Sequence, residues 1–475
     1  MMTMTKTQGL AAALAAGLLV GSSASAAAQD FSEISGLVRV AAERRDRLVS
    51  ALRKDLRPGE KGIFHILATP PSDLAETRQN SDFFYLTGLH TPGAGLLIFF
   101  DERTMSERLY LRRRDPASER WTGAALSPGG IDPNSLGPNE ERRRAMVLTG
   151  FGSEDRGAHS MVSEIGALRQ DLSYALRDGS ILFLSYEPPA LDDAPTPESS
   201  LVAEIRARYP QARIVSAREA LTSLRLVKSR EEIEAIRRAV SITCEAQRAA
   251  MRTIRPGMKE YEIEAVIEYV FTRSGARSTA FPTMVGSGPN SCVFHYDRNE
   301  RTIEEGDLVV IDAGAEYGRY AADITRTLPA SGRFTDDQIR LYRAVLRAQG
   351  EAKALVRPGS RIRDIHDRAA AVLAEEGLKE RLLHGCCHFV GLDAHDVGDR
   401  DVLLAPGMVL TVEPGVYIPE KEIGVRVEDL FLVTEGGAEQ LSACAPSTVE
   451  DLLAEMSRKA ALPEFSPAGP ASPRR

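Results

Sequence analysis

Five cysteines in 475 residues are too few, and odd in number, for a disulfide scaffold. A chain this long buries a large core without such staples. Neither sign of charge dominates. The 59 Lys and Arg stand against 67 Asp and Glu, a formal net charge of −8, so the basic surface that phosphate binding relies on is missing and nucleic acid is excluded as the main partner. The apolar run over residues 10–20 falls short of the roughly 20 residues needed to span a bilayer. No short-period repeat is visible, and there is neither an HExxH nor a paired CxxC spacing of a plain zinc site. Apolar residues at 43% and charged ones at 27% match globular averages. They exclude wholesale disorder, collagen-like repeats and a polytopic membrane protein, and the length suggests two or three domains.

The ends carry targeting and tail signals. Lys6, the run LAAALAAGLLV, and the small residues GSSASAAAQD with Ala-x-Ala patterns ending at Ala26 and Ala28 follow one another in the order of a secretory signal peptide. Residues 1–28 are assigned to it, with an uncleaved anchor as the alternative. No Cys follows the cleavage site, which disfavours a lipoprotein. The expectation is an exported protein, periplasmic or secreted, with no stable membrane insertion after cleavage. Residues 447–475 begin with a short helix, Val449 to Ala461, and finish in a Pro/Ser/Gly/Ala tail with too few apolar residues to pack.

Between the ends lie two domains of different character. Over residues 31–217, the strand-like runs GIFHILATP, GAGLLIFFDE, ERLYLRRRD and ILFLSYE alternate with the amphipathic stretches EISGLVRVAAERRDRLVSALRKDL and EIGALRQDLSYAL, the pattern of a smaller α/β domain. PPALDDAPTPESS reads as a Pro-rich surface loop. Over residues 218–446 the pattern becomes two helix pairs interleaved with antiparallel strands, two related halves in an α+β arrangement. The first of these helices opens with Ser229 and Glu232 spaced as a capping box.

Most acids in the chain belong to helices. Asp312, Asp323, Glu413 and Glu428 instead sit inside the apolar strand runs LVVID, YAADITRT, VLTVE and GVRVED, where an ionised carboxylate is costly unless paired or bound to a metal. If Tyr317-Gly318 is a two-residue turn, Asp312 and Asp323 face each other directly, with Cβ atoms roughly 5 Å apart. Such a pair repels unless a cation or a shared proton intervenes. The alternative is a turn-capping Asp and an Asp paired with Arg319 or Arg326. Histidines cluster in HGCCHFVGLDAH as His384, His388 and His395, with His295 in CVFHYD. The competing reading is a set of surface loop histidines. Adjacent Cys386 and Cys387 point to opposite faces of an extended chain, poorly placed to share one ion, and read as small residues packing the sheet. Four carboxylates balance two divalent ions, and oxygen-rich ligation favours Mn, Mg or Fe, with zinc and cobalt as alternatives. Two such ions roughly 3.5–4 Å apart hold a bridging water and lower its pKa, giving a hydroxide able to attack an amide or ester carbonyl.

The order Asp312…Asp323…His388…Glu413…Glu428 resembles the five-ligand set of the pita-bread metallopeptidases. The words GSGPNSCVFHY, GDLVVIDAGAEYGRYAADITRT, HGCCHFVGLDAHDVG, LAPGMVLTVEPGVYI and GVRVEDLFLVT are similar to the aminopeptidase P branch in particular, as are QNSDFFYLTGL and LYLRRRDPASERWTGAAL. The resemblance implies a pita-bread catalytic domain of α+β class, preceded by the smaller α/β domain. It implies a metal-dependent Xaa-Pro aminopeptidase acting on proline-containing peptides, with two divalent ions per chain, manganese first and zinc, cobalt or iron as alternatives. Asp312 and Glu428 would bridge the ions, Asp323 would chelate one, and His388 with Glu413 would serve the other. Glu413 would also move the water's proton. His295 and His395 would hydrogen-bond the substrate, His384 would line the proline pocket, and Arg426 would contact substrate or orient ligands. Trp121 lies in a segment that in this branch reaches a neighbouring subunit, which implies a homo-oligomer, dimer or tetramer. The neighbouring readings are a prolidase cleaving Xaa-Pro dipeptides and, further off, a metal-free creatinase-like enzyme or binding module.

Overall fold

The structure, a computed structural model, describes residues 40–71, 78–122, 126–128, 160–188, 190 and 192–458. The signal-peptide assignment and the tail beyond residue 458 lie outside the described residues. The chain divides into two compact units between Leu224 and Arg225. Among the described residues, no helix is long and apolar enough to cross a membrane.

The first unit is built on one mixed six-stranded sheet. Its strands are β1 (Gly62–Leu67), β2 (Gly95–Phe100), β3 (Met105–Leu111), β4 (Ser160–Glu164), β5 (Ile181–Leu184) and β6 (Ile214–Ser216), in the order β4-β3-β2-β1-β5-β6. The pairs β1–β2 and β2–β3 are antiparallel, while β4, β5 and β6 join in parallel. Helix α1 (Leu168–Arg177) places Leu168, Leu172 and Leu176 in the core with Ile63, Leu97 and Leu182. The Pro-rich stretch read as a loop ends in a helix, α2 (Pro197–Arg208). Thr196 caps it by accepting from Ser199 N, and Pro197 sits where the missing N–H costs nothing.

The second unit pairs helices over small antiparallel sheets. Helix α3 (Arg230–Thr253) opens with the expected capping box, Ser229 and Glu232 bonding each other's backbone. It packs on α4 (Glu260–Arg273), and α5 (Asp336–Lys353) packs on α6 (Ile362–Glu375). Strand β7 (Ser278–Thr279) and strands β8 (Met284–Ser287) and β9 (Leu308–Ala313) precede a first hairpin. There β9 and β10 (Ala315–Tyr317) turn back into β11 (Tyr320–Ala321) and β12 (Ile324–Pro329). In the second hairpin, β13 (Val409–Val412) and β14 (Gly415–Ile418) return as β15 (Ile423–Arg426) and β16 (Asp429–Thr434), followed by β17 (Gly437–Gln440) and helix α7 (Val449–Met456). The hairpins meet where Glu428 N donates to Thr325 O at 3.1 Å.

The register of the first hairpin differs from the expectation. Its turn is Gly318-Arg319, with φ of 56° and 74°, flanked by the pair Tyr317↔Tyr320. A tight two-residue turn of this hand needs positive φ at both central residues, and the bulky Tyr317 is a poor occupant of that region. Asp312 therefore faces Thr325, not Asp323. The shift is two residues, so both acids keep to one face. Strand pairing lapses at Gly314, where a Cβ would lie 1.9 Å from Ala322 O; only glycine permits that approach, and the pinch lets Asp323 leave the ladder.

Candidate metal centre

Asp312 lies one residue before the end of β9, Asp323 precedes β12, Glu413 follows β13, and Glu428 falls between β15 and β16. In the second hairpin the flanking pairs are Val412↔Asp429 and Gly415↔Arg426, a register that sets Glu413 opposite Glu428. His388 comes from a segment that runs beside β13. Glu413 N donates to Cys386 O at 2.8 Å, Thr411 N to His388 O at 2.9 Å, and Val390 N to Val409 O at 3.0 Å. Cys386 and Cys387 are buried in that added strand-like segment, and burial pushes both thiols up, away from reactivity.

These elements converge. His388 Nε2 lies 3.4 Å from Glu413 Oε1, 3.5 Å from Asp323 Oδ2 and 3.9 Å from Glu428 Oε1. Ligand atoms of Asp323, His388 and Glu428 all fall within 4.8 Å of one another. Nδ1 of His388 faces the Phe389 carbonyl at 3.1 Å. A carbonyl only accepts, so Nδ1 carries the proton and Nε2 presents its lone pair to the acids.

Around this cluster the polar partners are few. Arg426 gives Nη2 to Asp312 Oδ2 at 2.6 Å, Nε to Thr325 Oγ1 at 3.2 Å and Nη1 to Tyr417 OH at 3.0 Å. Thr325 Oγ1 donates to Glu428 Oε2 at 2.6 Å. The Tyr417 hydroxyl donates a hydrogen bond to His384 Nε2 at 2.8 Å, while His384 Nδ1 donates to the Gly385 carbonyl at 2.8 Å. His384 is thus locked neutral, packed edge-on against Phe294 at 5.3 Å and 3.9 Å from Glu413. His395 packs against His388 with ring centroids 4.1 Å apart and planes tilted by 42°, and His295 lies further out, 6.4 Å from His395. The sequence-predicted acids, His388, His384, His395 and Arg426 are all brought together, with His295 at the edge. Tyr417, Thr325 and Phe294 were not foreseen. Their only signal is the strand wording around them, which is the same as in any core.

The electrostatics are those of a site short of positive charge. Four carboxylates face one guanidinium. Burial, then repulsion from Glu428, Asp312 and Glu413, pushes Asp323 well above the usual carboxylate range. Burial and Glu428 do the same to Glu413, and burial and Asp312 raise Glu428 to about 8. Burial lowers His388 and His384 to about 4. Asp312 Oδ1 is buried without a hydrogen-bond partner. An unmatched buried carboxylate oxygen, three more acids and an unprotonated imidazole nitrogen form an oxygen-rich donor set that suits divalent cations.

Residues 234–435 match the family described as metallopeptidase family M24, and residues 41–133 match the aminopeptidase P N-terminal domain. The chain is 35% identical over 447 residues to the Xaa-Pro aminopeptidase of Escherichia coli (strain K12), covering 86% of this chain and 96% of that protein. It is 40% identical to the Xaa-Pro dipeptidase of Pyrococcus furiosus, but only over 228 residues, 47% of this chain and 65% of the relative. The solved aminopeptidase P from E. coli with the inhibitor Pro-Leu superposes with a TM-score of 0.73 at 32% identity, covering 88% of this chain and 98% of that one.

Proposed function

We propose, for a chain that belongs to metallopeptidase family M24 in its aminopeptidase P branch, that it releases the N-terminal residue from peptides whose second residue is proline, using two divalent ions, manganese first. The observation that carries this reading is the convergence of Asp323, Glu413 and Glu428 on His388 Nε2, with Asp312 held in the same cluster by Arg426. When bound, the ions supply the Lewis acidity that brings a water's pKa toward neutrality and polarises the scissile carbonyl.

The chain's own residues supply the rest. Asp312, Asp323, His388, Glu413 and Glu428 hold the ions. Glu413 has Oε1 within 3.4 Å of the Thr411 hydroxyl and of His388 Nε2, placed to accept a proton from the attacking water and hand it to the leaving nitrogen. Arg426 fixes Asp312 through the 2.6 Å pair. His395 and His295 offer ring N–H groups to the developing oxyanion. Phe294, His384 and Tyr417 form a mutually packed aromatic wall. The two ring nitrogens of His384 are already engaged, so this wall suits proline, whose nitrogen has no hydrogen to offer.

An aminopeptidase is favoured over a dipeptidase because the aminopeptidase relative aligns along both units, whereas the dipeptidase relative covers less than half of the chain. The test compares Xaa-Pro-Yaa tripeptides with Xaa-Pro dipeptides. Preference for the tripeptide by tenfold or more in kcat/KM is expected, and exclusive cleavage of dipeptides would replace this reading with a prolidase.

Export and self-association belong to the same proposal. Cys244 and Cys444 form a disulfide across 200 residues, a bond that persists in oxidising compartments and so supports a periplasmic or secreted location. Trp121 is 90% exposed, which supports a partner surface in a homo-oligomer. Light scattering showing only monomer, with specific activity unchanged on dilution, would remove that assembly.

A further inference from the structure

We propose that Gln247 and Gln349 are positioning residues that set the spacing of the two ligand-bearing hairpins. The inference rests on the metal-centre reading above.

The two glutamines sit at comparable places in the two halves. Gln247 lies on α3 and is fully buried; Gln349 lies on α5 and is 4% exposed. Neither is a ligand, and neither reaches the acids of the centre. Gln247 Nε2 donates to Ile311 O at 3.2 Å and to Ile324 O at 2.8 Å. Gln349 Nε2 donates to Val412 O at 3.1 Å and to Val427 O at 3.2 Å. Ile311, Val412 and Val427 immediately precede Asp312, Glu413 and Glu428, and Ile324 immediately follows Asp323. The Gln349 amide therefore ties together the peptides that lead directly into Glu413 and Glu428, and the Gln247 amide ties the peptide that leads into Asp312 to the Ile324–Thr325 peptide, one residue beyond Asp323. The amide orientation is fixed by the acceptors, since carbonyl oxygens cannot donate and Gln247 Oε1 has no partner of its own.

The placement answers a physical need. Strand pairing lapses between β9 and β10 in the first hairpin and between β13 and β14 in the second. At such gaps the ladder no longer fixes how far apart the strands run or how their peptides tilt. Peptide tilt at these residues directs the neighbouring Cα–Cβ bonds, and ligand geometry tolerates displacements of only about 0.5 Å. A planar NH2 with two hydrogens at a fixed angle, carried on a helix, bridges the strands at one separation. Gln349 Nε2 also lies 3.0 Å from Asp429 Oδ2, so its two hydrogens are shared among three acceptors, whereas the two hydrogens of Gln247 serve the two carbonyls. Loss of the amide at position 247 should loosen the Asp312/Asp323 pair, and loss at 349 the Glu413/Glu428 pair.

The test uses the full chain loaded with Co²⁺, read by calorimetric titration and by the visible ligand-field spectrum. Gln247→Met and Gln349→Met keep the side-chain volume and remove the donors. Each is expected to weaken one of the two Co²⁺ binding steps by tenfold or more and to change the band intensity of that step alone. Gln247→Asn and Gln349→Asn keep an amide in the pocket but fall one methylene short, and serve the same comparison where the Met variants do not fold. Tyr342→Phe removes a buried bond from α5 to Ser447 O away from the hairpins and controls for lost stability; its Co²⁺ titration should match the wild type. Variants that lose stability yet bind both ions with wild-type affinity and spectrum would overturn the clamp. A wild-type chain that binds no Co²⁺ would instead overturn the metal-centre reading, so the two failures are distinguishable.

Discussion

Glu428 and Asp429 are neighbours in the chain and both are buried, yet they belong to opposite kinds of environment. Asp429 is closed. Its Oδ1 accepts from Arg326 Nη2 at 2.8 Å and Ser442 Oγ at 2.6 Å, and its Oδ2 accepts from Gln349. Arg326, itself fully buried, spends its remaining donors on the carbonyls of Thr325, Glu428, Ala445 and Pro446. Glu428, one residue earlier and pointing the other way, has one hydroxyl donor in Thr325 and shares its surroundings with Asp312, Asp323 and Glu413. The first cluster neutralises itself and serves stability. The second holds more negative charge than its protein partners match, so it needs a cation from outside. The burial is alike; the difference is whether the counter-charge is encoded in the chain.

The largest effect should come from Glu413→Gln. The amide keeps the shape but cannot take the water's proton, and kcat should fall about 10³-fold or more, with far-ultraviolet circular dichroism unchanged. Near-normal turnover would remove Glu413 from that role. A pair of variants then sharpens the contrast between the two neighbouring acids. Asp429→Asn leaves Arg326 buried without its counter-charge and should cost about 3–5 kcal/mol in denaturant unfolding, while the protein that remains folded still binds its ions. Glu428→Gln should do the reverse, losing metal affinity while making the metal-free chain about 1 kcal/mol more stable by relieving repulsion. Equal stability losses in both would erase the distinction.

A smaller effect separates the imidazoles. His388 and His65 are each lowered to about 4, mainly by burial, but His65 belongs to the first unit, away from any acid cluster. Between pH 6.5 and about 4 the unfolded chain binds a proton that the folded His65 refuses. The stability is therefore present above 6.5 and is lost as pH falls toward 4. His65→Leu should shrink the stability difference between pH 7 and pH 5 by about 2 kcal/mol. An unchanged difference would show that His65 is not buried neutral.

Sequence reading reached the acids because a carboxylate inside an apolar strand is conspicuous. It reached the α3 capping box because Ser229 and Glu232 interact over a short stretch of chain. It missed the hairpin register because an Arg at φ of 74° leaves no mark in the sequence, whereas Tyr-Gly looks like a turn. It read α2 as loop because proline at a helix start and proline in a loop are the same letter until Thr196 is seen to cap. The Tyr417–His384 bond and the Cys244–Cys444 bridge join residues far apart in the chain, and nothing local announces such partners.

The most direct test of the central claim is the metal content of the purified chain after Mn²⁺ loading and exhaustive dialysis, set beside its peptidase rate. Close to two ions per chain, with activity that disappears on chelation and returns on re-addition, is the predicted result. Less than one ion per chain with full activity would contradict it.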